Sequence, residues 1–151
     1  MSVICTLFSV TDADVSAPSE LTLPAMDHTS KVGATREPHI IELGGAWTVL
    51  HEAFGAHPAE NPLGFLVAGG ASYKPLFDGQ GSSGRHFTPS ETVKLLAAVA
   101  RVTDESIVRN VATKQITALS VGELLRKLTK LRVFLAEAVA QDRGIIVHHL
   151  R

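Results

Sequence analysis

Cysteine is almost missing: Cys5 is the only one in 151 residues. No disulfide can form within the chain, and no thiolate cluster can hold zinc. An excess of either charge is missing too, since 14 Lys and Arg stand against 15 Asp and Glu for a formal net charge of -1. Phosphate backbones are bound through a basic field, so nucleic acid is not expected as a partner. No apolar run approaches the roughly 20 residues that cross a bilayer. The opening Met1-Ser2-Val3-Ile4-Cys5 lacks the basic residues that begin a secretory signal. The reading is therefore a cytoplasmic protein with no membrane association. Familiar catalytic strings are missing as well. His51-Glu52 is not followed by the second His of H-E-x-x-H, no Lys-Ser or Lys-Thr completes a phosphate loop, and no G-x-S-x-G elbow occurs.

What is present is ordinary globular composition, 45% hydrophobic and 19% charged. The length predicts a single domain over residues 1–151. Val3 to Val10 is rich in β-branched and apolar residues and reads as a buried strand, with Cys5 a buried apolar residue within it. Residues 11–38 collect Asp12, Asp14, Pro18, Pro24, Gly33 and Pro38 and read as a long loop-rich connection. Trp47, Leu50 and Phe54 recur at helical intervals between Gly44 and Gly55, predicting a helix of about three turns. Pro62 to Ala68 predicts a short buried helix that closes at Gly69-Gly70. Tyr73 to Phe87 reads as a Gly/Ser-rich loop with a short extended piece at each end.

The second half is helical. Thr88-Pro89-Ser90-Glu91 combines a capping box with Pro at the first helical position, and Val93, Leu96, Ala97 and Ala100 read as the inner stripe of that helix, widened by Leu95, Val99 and Val102. Thr103 caps a shorter helix from Asp104 to about Ala112, with Asp104 and Glu105 favourable in its first turn. Ser120-Val121-Gly122-Glu123 reads as a second capping box. It opens the longest helix, running to about Asp142 with Gly144 as the expected stop, and Val121, Leu124, Leu125, Leu128, Leu131, Leu135, Ala138 and Val139 read as its apolar face. Gly144 to Leu150 closes as a strand. The expected fold is α+β: a small sheet that pairs the N- and C-terminal strands, covered by about four to five helices.

Three groups of residues bear on function. Gly79-Gln80-Gly81-Ser82-Ser83-Gly84 spells G-x-G-x-x-G, but the strand and helix that a dinucleotide site places around it are not expected there. Arg85 and His86 precede the helix that Thr88 caps, where free N–H groups and the positive dipole end suit a phosphate or carboxylate. His51 follows Trp47 by four residues, so the two share a helix face; an imidazole there is either a packed core residue or a site residue. Seven histidines raise the question of a metal, but His51 and His57 do not share a helix face, and His148 and His149 point to opposite sides of a strand. No metal and no cofactor is expected.

The string Ile41-Glu42-Leu43-Gly44-Gly45-Ala46-Trp47-Thr48-Val49-Leu50-His51 resembles the L-x-K-A-W-x-x-L-H helix of the YfbM-like family, small bacterial proteins of unknown function. The likeness continues through Asn61-Pro62-Leu63, Gly69-Gly70, Pro75-Leu76-Phe77-Asp78-Gly79 and Arg85-His86-Phe87-Thr88-Pro89. The sequence departs from the family pattern at Gly45, where the family has Lys, and at Thr117-Ala118-Leu119-Ser120, where it has Tyr-Pro. The resemblance implies an α+β fold and a bacterial cytoplasmic protein, and it brings no activity. Trp47, His51, Arg85 and Thr88 are the ligand-binding candidates, and no catalytic residue is assigned. Three readings follow: a non-enzymatic module that binds a small anion or a protein; an enzyme with His51 as general acid or base and Arg85 orienting an anionic substrate; and an immunity or antitoxin protein.

Overall fold

The computed structural model describes residues 4–10, 40–55, 61–73, 83–115 and 120–150. The segment 11–38, His57, Gly79 to Gly81 and residues 117–119 lie outside these. Among the described residues five strands form one antiparallel sheet: β1 (Ile4–Val10), β2 (Ile40–Gly44), β3 (Ala71–Tyr73), β4 (Ser83–Phe87) and β5 (Gly144–Leu150), in the order β2-β1-β5-β4-β3. The two terminal strands pair along their whole length, from Ile4 opposite Leu150 to Val10 opposite Gly144. This is the expected α+β arrangement. Because β5 is central, Ile145, Ile146 and Val147 are all buried, which explains an unbroken apolar run where an exposed sheet face would alternate.

Four α-helices are described: α1 (Ala46–Glu52), α2 (Pro89–Ala100), α3 (Asp104–Thr113) and α4 (Val121–Ala140). Leu50, Val99, Ile107, Leu124, Leu128, Leu131, Phe134 and Leu135 from these helices share one core with Cys5, Leu7, Leu43, Phe87, Ile145 and Val147 of the sheet. Val10 and Ile146 form a second, smaller cluster with Phe8. Alternation along the strands thus separates a helix-covered face from the opposite one.

Several local expectations are corrected. α1 has about two turns, not three, because Phe54 N–H closes onto His51 O and Gly55 turns out at φ 115°. The short buried helix expected over Pro62 to Ala68 is present as a single 3₁₀ turn, Gly64–Leu66, with all three residues buried. Here Asn61 Oδ1 accepts from Leu63 N–H while its Nδ2 donates to the carbonyls of His51 and Gly55, fixing a side-chain turn that competes with helix. On α2 the inner residues are Thr92 and Val99, flanked by Leu95 and Leu96, whereas Val93 is 51% exposed. That helix is apolar on most sides, so its phase is weakly marked, and Thr92 is buried at no cost because its hydroxyl donates to Thr88 O. α4 ends at Ala140, close to the expected Asp142, but the residue that stops it is Asp142 and not Gly144: Asp142 takes the left-handed position at φ 53°, and Arg143 N–H bonds back to Ala138 O, a Schellman closure with Asp in the glycine place. The Ser120 hydroxyl accepts from Glu123 N–H, one half of the expected box.

The boxes at Thr88 and Thr103 are complete. Thr103→Ala should therefore lower stability by about 1 kcal/mol, read as a drop of a few degrees in the thermal midpoint. Thr103→Ser should restore the midpoint, and its failure to do so would remove the capping explanation.

Candidate functional site

Strand register decides which polar residues meet. On β5, His149 opposes Cys5 of β1 and Ser83 of β4, while Val147 opposes Leu7 and Arg85. Cys5, Arg85 and His149 therefore lie on the helix-covered face with Leu7 and Val147. His86 and His148 lie on the other face, where the His148 ring meets Phe8 edge-on at 6.4 Å. From α1, Trp47 stacks on the His149 ring, with centroids 4.6 Å apart and planes 21° from parallel. The result is a cluster of Arg85, His149, Trp47 and Cys5, assembled from three strands' worth of chain and one helix.

Arg85 is the charged member. Its Nη1 donates to Gly69 O at 3.3 Å, and its guanidinium carbon lies 5.9 Å from the centre of the Phe87 ring. Its Nη2 is buried with no hydrogen-bond partner. Among the described residues no carboxylate pairs with it; the ion pair they contain is Arg132 with Asp104. Burial pulls the guanidinium's pKa below its ordinary value, and nearby Cys5 partly opposes this, yet an arginine stays cationic in protein. Burial pushes the Cys5 thiol up to about 12, against the lowering effect of Arg85. This thiol is fully buried and protonated, hence inert as a nucleophile.

His149 is held below the ordinary histidine value first by burial, then by the Arg85 charge, with His148 adding to the same effect and the Leu66 backbone opposing it. Its Nε2 is buried and without a partner. His51, one turn beyond Trp47 on α1, is 7% exposed, and its Nε2 has no partner either. Burial lowers its pKa against the opposing charge of Glu52, so it is neutral at pH 7.

Of the sequence candidates, Trp47 and Arg85 are brought together, with His149 as the link. No described contact joins His51 to Arg85. Thr88 is committed elsewhere: its Oγ1 accepts from Glu91 N–H, and its own N–H donates to the Glu91 carboxylate. The N-terminus of α2 thus carries a carboxylate of its own chain. Arg85 and His86 diverge because neighbouring residues of a strand face opposite ways. His149 was not among the candidates. The available signal was its place on a terminal strand in phase with Ile145 and Val147, which the pairing of the termini would have turned toward Trp47. Among the described residues no group of three or more His, Cys, Asp or Glu could hold a metal ion, and no helix is long and apolar enough to cross a membrane.

Fold and cluster together define an α+β protein whose antiparallel sheet carries, on its helix-covered face, an arginine with no carboxylate partner among the described residues. The family described as "Domain of unknown function (DUF1877)" matches residues 1–148, and the chain belongs to that family. Among solved structures, it is similar to the crystal structure of YfbM from Escherichia coli, described as a protein of unknown function. The match has a TM-score of 0.59 and 12% identity, covering 97% of this chain and 99% of that one. At that identity the likeness is one of fold, and it agrees with the YfbM-like resemblance of the sequence. Comparison with curated proteins finds no match.

Proposed function

We propose that this chain is a single-domain, cytoplasmic, non-enzymatic module that binds a small anion at Arg85. The observation that carries the reading is a cation half-buried beside the core with no carboxylate partner among the described residues and with a buried Nη2 unbonded. An unmade hydrogen bond to such a group costs about 1–3 kcal/mol. Water can satisfy the N–H groups, but only an anion offsets the charge. Use of His51 as a general acid or base has less support, since α1 buries the ring and no described contact links it to Arg85.

Sulfate and inorganic phosphate are suitable probes, followed by phosphorylated and carboxylated metabolites in a thermal-shift screen. A ligand at 100 times its Kd adds about 2.7 kcal/mol, a shift of several degrees. Arg85→Gln keeps a donor for Gly69 O and removes the charge. It should weaken sulfate binding at least about 30-fold, equivalent to roughly 2 kcal/mol, while the thermal midpoint of the free protein holds or rises as an unpaired charge is removed. Unaltered sulfate affinity in Arg85→Gln would sink the reading.

A further inference from the structure

We propose that His149 is the second anchor of this site and that it takes up a proton as the anion binds, so that ligand and hydrogen ion arrive together. The inference rests on the reading of Arg85 as the first anchor. Its basis is geometric. Arg85 opposes Val147 across β4 and β5, so His149, two residues further along β5 and on the same face, is the diagonal neighbour of Arg85. Such neighbours lie about 7–8 Å apart at the backbone, within reach of long side chains. Both present a buried nitrogen with no partner, Nη2 of Arg85 and Nε2 of His149. The Trp47 ring stacked at 4.6 Å holds the imidazole plane in place.

The chemistry calls for the proton. A neutral imidazole carries one N–H, and the imidazolium carries two. The Leu66 backbone already interacts with the ring in the sense that favours protonation, so serving that carbonyl and an oxyanion at once takes the doubly protonated form. In the free protein the opposing influences prevail. Arg85 faces His149 from β4, His148 adjoins it on β5, and Cys5 opposes it from β1 as a neutral thiol; α1 contributes the uncharged Trp47 ring. Burial and the Arg85 charge keep the free ring neutral. An anion seated between the two side chains offsets that charge and adds an acceptor, and both effects favour the imidazolium. The sign follows: the bound state holds the proton more tightly, so affinity is highest at low pH and falls as pH rises through the bound-state pKa.

Sulfate is the probe, because it stays a dianion throughout the histidine range and brings no titration of its own. Calorimetry on the full chain between about pH 5 and 8 should show affinity falling with pH by up to about tenfold per unit. Proton uptake should appear as a dependence of the heat on buffer ionisation. NMR of the wild-type ring protons should show the His149 titration moving to higher pH when sulfate is added, a readout that needs no variant to fold. His149→Gln should bind sulfate more weakly and without pH dependence. Arg85-dependent binding that is flat with pH, or pH dependence that persists in His149→Gln, would overturn the proton-linked anchor and leave the Arg85 reading intact. No sulfate binding at any pH, or binding indifferent to Arg85→Gln, would overturn both.

Discussion

Gly70→Ala is expected to destabilise the protein by about 3 kcal/mol or more and to abolish anion binding with it. Gly70 sits at φ +70°, and a Cβ placed there would lie 2.4 Å from His86 O and 3.1 Å from Phe87 Cζ. Backbone cannot yield as a flexible side chain can, so β3 would have to part from β4. The strand that would be displaced carries Arg85, and the preceding residue, Gly69, supplies the carbonyl that Arg85 bonds. Gly69→Ala is the internal comparison. Gly69 also has a positive φ, of 93°, but its added Cβ would meet only the Phe87 side chain, at 3.5 Å. Its cost should stay near the roughly 1 kcal/mol of left-handed strain. Urea unfolding midpoints of the two variants decide the matter: equal losses would show that the contact with His86 O is not what makes Gly70 necessary.

The second large effect belongs to the core. Phe134→Ala should cost about 3–5 kcal/mol, the usual range for emptying a large aromatic site. A domain of this size has roughly 5–15 kcal/mol in all, so the variant would approach or reach the edge of folding. Phe134 is 1% exposed on α4, while its neighbour Val133 is 55% exposed. Val133→Ala should stay within about 0.5 kcal/mol. Paired chemical denaturation of the two variants tests the rotational phase of α4 directly, and comparable losses would mean the helix is turned about its axis from the position described.

Much of the fold was legible because it is written in short-range chemistry. The capping box at Thr88 and the cap at Thr103 place helix starts to the residue, since a side-chain oxygen and an orphan N–H three residues on meet whatever the tertiary context. The β-branched terminal segments read as strands, and their pairing followed from having two such segments and one sheet to form. Less legible were the places where local signals were balanced. The apolar residues of α2 lie on several sides, so contact with α4 and the sheet, rather than periodicity, chose Thr92 and Val99 as the inner positions. Strand β2 offers only Ile40, Ile41 and Leu43 before Gly44 and forms because β1 supplies its hydrogen-bond partners, with a bulge between Cys5 and Thr6.

The candidate site divides along the same line. Trp47 and Arg85 stand out in the sequence as the chain's single Trp, on an amphipathic helix, and a cation before a helix start. Their meeting, with His149 between them, depends on the order β1-β5-β4, which sets residues from the two ends and the middle of the chain side by side. The sequence by itself determined the terminal strands, the starts and caps of the longer helices, the α+β class and the family likeness, because the strand and cap signals lie within a few residues of one another. Only the tertiary structure decided that Arg85 turns away from the N-terminus of α2 toward Gly69 and His149, because the face a strand residue presents is set by the register of its neighbours, a long-range relation that no local pattern encodes.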